Sequence, residues 1–153
     1  KREIIVEADA ETLARMRKEG HARGFTVYCD EAGRIGGDNT APPPLAYFAL
    51  SVGVGLLTQK SRYGEMLKTH IEKAKVYVTA RFKNEGSVLS ETVQAEGLGV
   101  ETRCEVASGE APEKLAKVIR NAEAGCYVIQ TIRRPTEVKS SYTLNGKIFD
   151  PES

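Results

Sequence analysis

The sequence predicts a mixed α+β domain with antiparallel pairing of its strands. Three observations carry this expectation: an uncharged stretch with helical periodicity at 45–57 behind three prolines, an amphipathic helical stretch opening at Pro112, and period-two alternation at 76–82 with a matching run at 98–107. At 153 residues the chain suffices for one domain with a real core and is short for two, so 1–153 is read as a single domain.

Taken in order, Ile4, Ile5 and Val6 form a short apolar run suited to a strand. The stretch 8–19 reads as a surface helix, with Ala10, Leu13 and Met16 at three-residue spacing and Gly20 as its stop. Phe25, Thr26, Val27, Tyr28 and Cys29 are rich in β-branched and aromatic types and read as a strand, closed by the turn-forming Asp30, Glu31, Ala32 and Gly33. Pro42, Pro43 and Pro44 suit an extended approach, and the last is acceptable at a first helical position. From there Leu45, Phe48, Ala49, Val52 and Leu56 recur at helical spacing, and the intervening residues are also apolar or small. A helix of that kind is covered on most sides, as at the centre of a domain or dimer. The stretch 63–72 continues as a second helical segment. Strands follow at 76–82 and 98–107, with 84–97 left unassigned. After Pro112, Leu115, Val118, Ile119, Ala122 and Cys126 fall on one face, which turns Cys126 toward the core. The stretch 136–144 alternates as a last strand, followed by Asn145 and Gly146 as a turn.

The net charge is +1, from 22 basic and 21 acidic residues, which gives no reason to expect nucleic acid. The stretch 45–57 is far shorter than the roughly 20 residues that span a bilayer, so no membrane partner is expected. The first residues mix charges and lack a signal-type apolar core, which points to a cytoplasmic location. Cys29, Cys104 and Cys126 are odd in number and without CxxC spacing, against a disulfide framework or zinc site. His21 and His70 show no metal-ligand spacing, and neither a metal nor a cofactor is implied. Gly33, Gly36 and Gly37 precede no GxxxxGKS-type sequence and read as a turn. Lys60, Arg62, Lys68, Lys73 and Lys75, interrupted by Glu65 and Glu72, read as a solvated helix face. Cys29 and Cys104, on predicted strands, read as packing residues.

The run from Gly36 and Gly37 through Pro42, Pro43 and Pro44 into 45–57, followed by a helix ending at Ala124, Gly125, Cys126 and Tyr127, resembles the helix pair that carries the redox cysteines of the OsmC/Ohr family. The strand from Arg23 through Asp30 and Glu31 is similar to the strand before that family's Gly-Gly loop, so the resemblance covers most of residues 20–150. It implies an OsmC-like fold, with antiparallel sheets around two central helices, in an intertwined homodimer. In the family, one cysteine on the first helix, at a set distance after a Pro and commonly a Glu, attacks hydroperoxides as its thiolate, and a second cysteine resolves the sulfenic acid. With Pro42 on the family Pro and Leu50 on its helix leucine, the Glu falls on Pro43 and the reactive cysteine on Gly53. A shift by one position offers Val52 or Val54. Cys126 matches the second cysteine, with Arg23 the arginine best placed by resemblance to reach it and Arg34 a competitor.

Gly53 and Gly55 inside a helix cost about 1 kcal/mol each relative to alanine. Either they allow close helix packing, or they open a small-molecule pocket. By resemblance that pocket lies at the dimer interface, lined by Phe48, Val52, Gly53, Leu56, Cys126 and Tyr127, and accepts a small hydrophobic or carboxylate-bearing molecule. Cys126 either packs as a small hydrophobe or acts as a lone thiol recycled by an outside thiol. The expected function is therefore an OsmC-like homodimer with a degenerate redox site that binds or transforms a small hydrophobic molecule. The alternative is a thiol-dependent organic hydroperoxide reductase using Cys126, and a purely structural dimer is the third reading.

Overall fold

In the computed structural model, which describes residues 2–152, Pro44 opens the long helix α1, Pro44–Met66. Pro43 precedes it as an extended N-cap residue, and a proline at the first helical position surrenders only an amide that has no partner within the helix. The helix ends on Lys68 in the left-handed conformation, with the Thr69 amide donating to the Gly64 carbonyl (2.8 Å) and the Lys68 amide to that of Glu65 (3.1 Å). These two bonds satisfy the last carbonyls and turn the chain, so the helix expected over 63–72 stops at Met66.

Strands β1 (Asp9–Thr12), β2 (Lys18–Ala22) and β3 (Phe25–Cys29) form an antiparallel meander in that order. A long hairpin, β4 (Lys73–Glu85) with β5 (Gln94–Ala107), packs against α1, with a register shift between Arg81 and Phe82. Helices α2 (Pro112–Ala124) and α3 (Tyr127–Arg133) cover another side of α1, and β6 (Tyr142–Leu144) pairs with β7 (Lys147–Phe149) across a turn in which Asn145 and Gly146 both have positive φ. The three sheets are not joined to one another among the described residues. No helix of the described residues is long and apolar enough to cross a membrane.

The mixed architecture, α1, β3, the β4–β5 pairing and the helix at Pro112 follow the sequence pattern. The helix expected over 8–19 is instead β1, a loop and β2. Its Leu13 and Met16 lie in that loop, where the Leu13 amide donates to Arg17 and Arg15 has φ 57°. Pairing of β2 with both neighbours satisfies its backbone, which outweighs the helix preference of the alanines and glutamates. Ile4, Ile5 and Val6 belong to no strand and are exposed. The unassigned 84–97 is the far part of the β4–β5 hairpin. The strand expected over 136–144 shortens to Tyr142–Leu144. The seven-residue α3 was not anticipated, because Gly125 ends α2 just before Cys126.

The link into α1 is organised by Asp30, which has no exposed surface. Its carboxylate accepts hydrogen bonds from the amides of Glu31 (2.8 Å), Asp38 (3.2 Å) and Thr40 (3.0 Å) and from the Thr40 hydroxyl (2.8 Å). Led by the Thr40 amide, these bonds hold its pKa down at about 2, against the opposing effect of burial. Gly37 is required in this loop, since a Cβ there would overlap the Glu31 carbonyl. The Tyr47 hydroxyl donates to the Tyr28 carbonyl (2.5 Å), and Arg15 donates to Gly36 (2.9 Å), so the meander is tied to the start of α1 at its β3 end.

These groups predict two limbs of a stability–pH curve, read from denaturation midpoints. Asp30 is lowered on folding, so its contribution is present above its ordinary value near 3.8 and disappears as pH falls toward 2; Asp30→Asn reduces that acid loss and lowers stability at neutral pH. His21, whose ring nitrogens bond Asp9 (2.6 Å) and Glu19 (2.8 Å), is raised above 6.5 first by Asp9 and then by Glu19. Its contribution is full below 6.5 and fades as pH rises through the raised value, and His21→Gln flattens that limb. Limbs unchanged by these substitutions would contradict the assignment.

Candidate functional site

Successive residues on an α-helix are turned by about 100°, so α1 presents distinct stripes to its neighbours. Val52 and Leu56 face α2 and α3, and with Cys126 and Ile129 they form the buried cluster, flanked by Val76, Val78, Val100 and Val128. One step around the helix, Gly53, Leu57, Lys60 and Gly64 face β4 and its approach. Gly55 is two residues from Gly53 and therefore points to nearly the opposite side.

That geometry separates the two glycines. A Cβ on Gly55 would stand 3.4 Å from the Cys126 Sγ and 3.3 Å from a Val128 methyl, so Gly55 is where close approach of the chain is required. A Cβ on Gly53 would meet only Val78, at an ordinary 3.5 Å. Beside Gly53 lies a cleft of about 470 Å³ between α1 and β4, lined by Ala49, Leu50, Leu57, Val76 and Val78 among others. Both readings of the helical glycines thus have a place: packing at Gly55, open space at Gly53.

The set of residues expected to line one pocket is divided. Gly53 lines the cleft. Val52, Leu56 and Cys126 are buried in the core cluster, and Phe48 packs edge-on against Phe82 (6.0 Å between ring centroids). Tyr127 is largely exposed at the first position of α3. Arg23 sits in the β2–β3 turn with φ 52°, in a meander that makes no extensive packing with the helices, and is not among the residues that enclose Cys126. Arg34 lies in the 3-10 turn Gly33–Ile35 of the loop before α1.

Cys126 is 1 % exposed, precedes α3 and makes no side-chain hydrogen bond among the described residues. The nearest polar frame is on the backbone: Gln59 donates from its amide nitrogen to the Gly125 carbonyl (2.5 Å) and accepts from Arg62 (3.0 Å). Valine, leucine and isoleucine side chains wall the sulfur within the protomer. α1 contains no cysteine. All three cysteines are free, and Cys104, expected to pack, is exposed on β5.

Two features escaped sequence reading. Lys60 was placed on a solvated face, yet it is only 3 % exposed. Its spacing of seven from Gly53 placed it on the cleft stripe, a signal hidden by the exposed Arg62 and Lys68 around it. On the meander, cross-strand pairing brings ligand-type atoms of Glu11, Glu19 and His21 within 4.8 Å of one another, although the two sequence segments are separated by a loop. His21 already bonds Asp9 and Glu19, which accounts for this cluster as an imidazole held between carboxylates.

A family model described as OsmC-like protein matches residues 37–141. Among solved structures, an OsmC-like hydroperoxide resistance protein from Jannaschia sp. CCS1 aligns over 92% of this chain and 93% of its own, with 19% identity and a TM-score of 0.64. An OsmC-like protein from Mycoplasma pneumoniae aligns over 86% and 89%, with 12% identity and a TM-score of 0.71. An organic hydroperoxide resistance protein OsmC from Legionella pneumophila aligns over 87% and 92%, with 15% identity and a TM-score of 0.63. At these identities the shared property is the fold. No curated protein matches the chain.

The contrast between the glycines is testable by denaturation of single variants. Gly53→Ala gains about 1 kcal/mol from helix propensity, because its Cβ makes only an ordinary contact with Val78. Gly55→Ala loses that gain to overpacking against Cys126 and Val128, ending neutral or destabilised by about 1–3 kcal/mol. A destabilised Gly53→Ala would mean that the cleft is closed in the assembled protein.

Proposed function

This chain belongs to the OsmC-like protein family, and from that premise we propose that it is a homodimer that binds a small hydrophobic molecule in the cleft beside Gly53, in place of two-cysteine hydroperoxide reduction. The observation that carries the reading is the cleft itself. Its walls are apolar apart from Lys75, it borders the position that the family resemblance assigns to the reactive cysteine, and packing within the protomer does not demand glycine there.

Surface area supports the dimer. A monomeric protein of 16.7 kDa is expected to expose roughly 7,600 Å², whereas this protomer exposes 12437 Å². The excess, about 4,800 Å² per protomer, is larger than the roughly 1,000–2,500 Å² that each partner of a large obligate interface gives up, so such an interface would remove part of it. The apolar residues left open include Phe25, Val27 and Tyr28 of β3 and Leu50 and Val54 at the cleft mouth. The far part of the β4–β5 hairpin is exposed on both faces, and a two-stranded hairpin is marginal without a surface to lie on. A second protomer laid over these surfaces would roof the cleft.

The lone-thiol alternative, organic hydroperoxide reduction by Cys126, requires the buried sulfur to meet both peroxide and a cation. Among the described residues no side chain hydrogen-bonds that sulfur, and Arg23 lies in the β2–β3 turn. The binding reading requires neither.

Two measurements check these proposals. Sedimentation of the purified protein gives twice the 16.7 kDa chain mass at every concentration at which it stays folded; a folded, soluble monomer would contradict the dimer. A neutral apolar fluorophore such as N-phenyl-1-naphthylamine brightens with the parent and with Cys126→Ser, and does so at least tenfold more weakly with Gly53→Phe at unchanged dimer mass. Equal brightening with Gly53→Phe would remove the cleft as the binding site.

A further inference from the structure

We propose that Lys60 is the anion-recognising end of the cleft, so that the molecule held there is an aliphatic carboxylate whose hydrocarbon part lies along Gly53. This inference rests on the cleft being a binding site and specifies what it recognises. Lys60 is 3 % exposed as a residue, what exposure remains opens onto a cavity, and its ammonium has no hydrogen-bond or ion-pair partner among the described residues. Lysine is almost never buried unless paired, because an ammonium removed from water loses hydration that only an anion or several acceptors can replace. The missing partner is supplied by a ligand.

Lys60 opens onto a second cavity of about 640 Å³, which shares Leu57 and Ala74 with the apolar cleft. The two spaces therefore adjoin along α1, one mostly apolar beside Gly53 and the other charged at Lys60. The axial distance between these residues is about 10 Å, seven residues at the helical rise, which suits a medium-length hydrocarbon chain ending at the ammonium. Lys68, Thr69 and Lys73 line the charged part as well. Glu65 and Glu72 share that wall without pairing with Lys60, and Glu110 is already occupied by the His70 amide and the Lys114 ammonium. The Thr69 hydroxyl donates to the Leu67 carbonyl. An unpaired ammonium beside an apolar cleft matches a single carboxylate on an apolar tail.

The test compares decanoate with decan-1-ol, equal in chain length and different in charge, by calorimetry on the intact assembled protein near neutral pH. Decanoate binds about tenfold more tightly than decanol, as expected for one charge-assisted contact in a partly dry site. Lys60→Met lowers decanoate to the level of decanol and leaves decanol unchanged, while Lys60→Arg keeps the preference. Equal affinities in the parent, or a Lys60→Met variant that weakens both ligands alike, would overturn the role of Lys60 while leaving the cleft standing. Binding of neither ligand would overturn the cleft reading and this inference together. The parent comparison is decisive even if Lys60→Met fails to fold.

Discussion

The angular step of an α-helix governs this structure more than any single contact. Because neighbouring residues of α1 are turned by about 100°, Val52 and Leu56 enter the core with Cys126 while Gly53, Leu57 and Lys60 look toward β4. A glycine two positions on, Gly55, admits the Cys126 sulfur on the other side. One helix thus separates a sealed thiol from an open apolar cleft, and that separation weighs against treating the two as one redox centre. It also explains why Gly53 and Gly55, alike in sequence, have unlike physical roles.

A second constraint is the scarcity of interior. The fully or nearly buried apolar residues are Val52, Leu56, Val118, Ala122, Cys126 and Ile129, a small core for the conformational entropy a chain of this length gives up. What secures the protomer locally is polar: the four hydrogen bonds on Asp30 fix the loop into α1, and Tyr47 ties that helix to β3. Such bonds specify a geometry more than they supply net stability. The remaining driving force has to come from apolar surface that the single protomer leaves uncovered, including the hairpin arm and the meander.

The legible parts of the sequence were those where one period dominated. Pro44, the uncharged helix behind it, the alternation at β4 and the face formed by Val118 and Ala122 all agree with local preference and burial together. The failure at 8–19 came from a stretch whose residues favour a helix while its strand pairing is set by contacts with β3. Of the residues that the sequence groups into one pocket, Gly53 borders a cavity while Val52, Leu56 and Cys126 lie in the core cluster, a division set by the helical step. Lys60 was missed because a lysine among other charges carries no local mark of burial; only its phase relative to Gly53 did. Surfaces that a partner covers leave no periodicity of their own, which is why the two faces of the hairpin arm could not be ranked.

The account therefore turns on what occupies the space between α1 and β4 once two protomers are together. A crystal structure of the assembled protein, purified without added ligand, tests this most directly. The account predicts a partner protomer roofing a cleft that remains open beside Gly53, with room for an apolar chain that reaches the Lys60 ammonium. A cleft filled by side chains of the partner, with a partner carboxylate on Lys60, would contradict it.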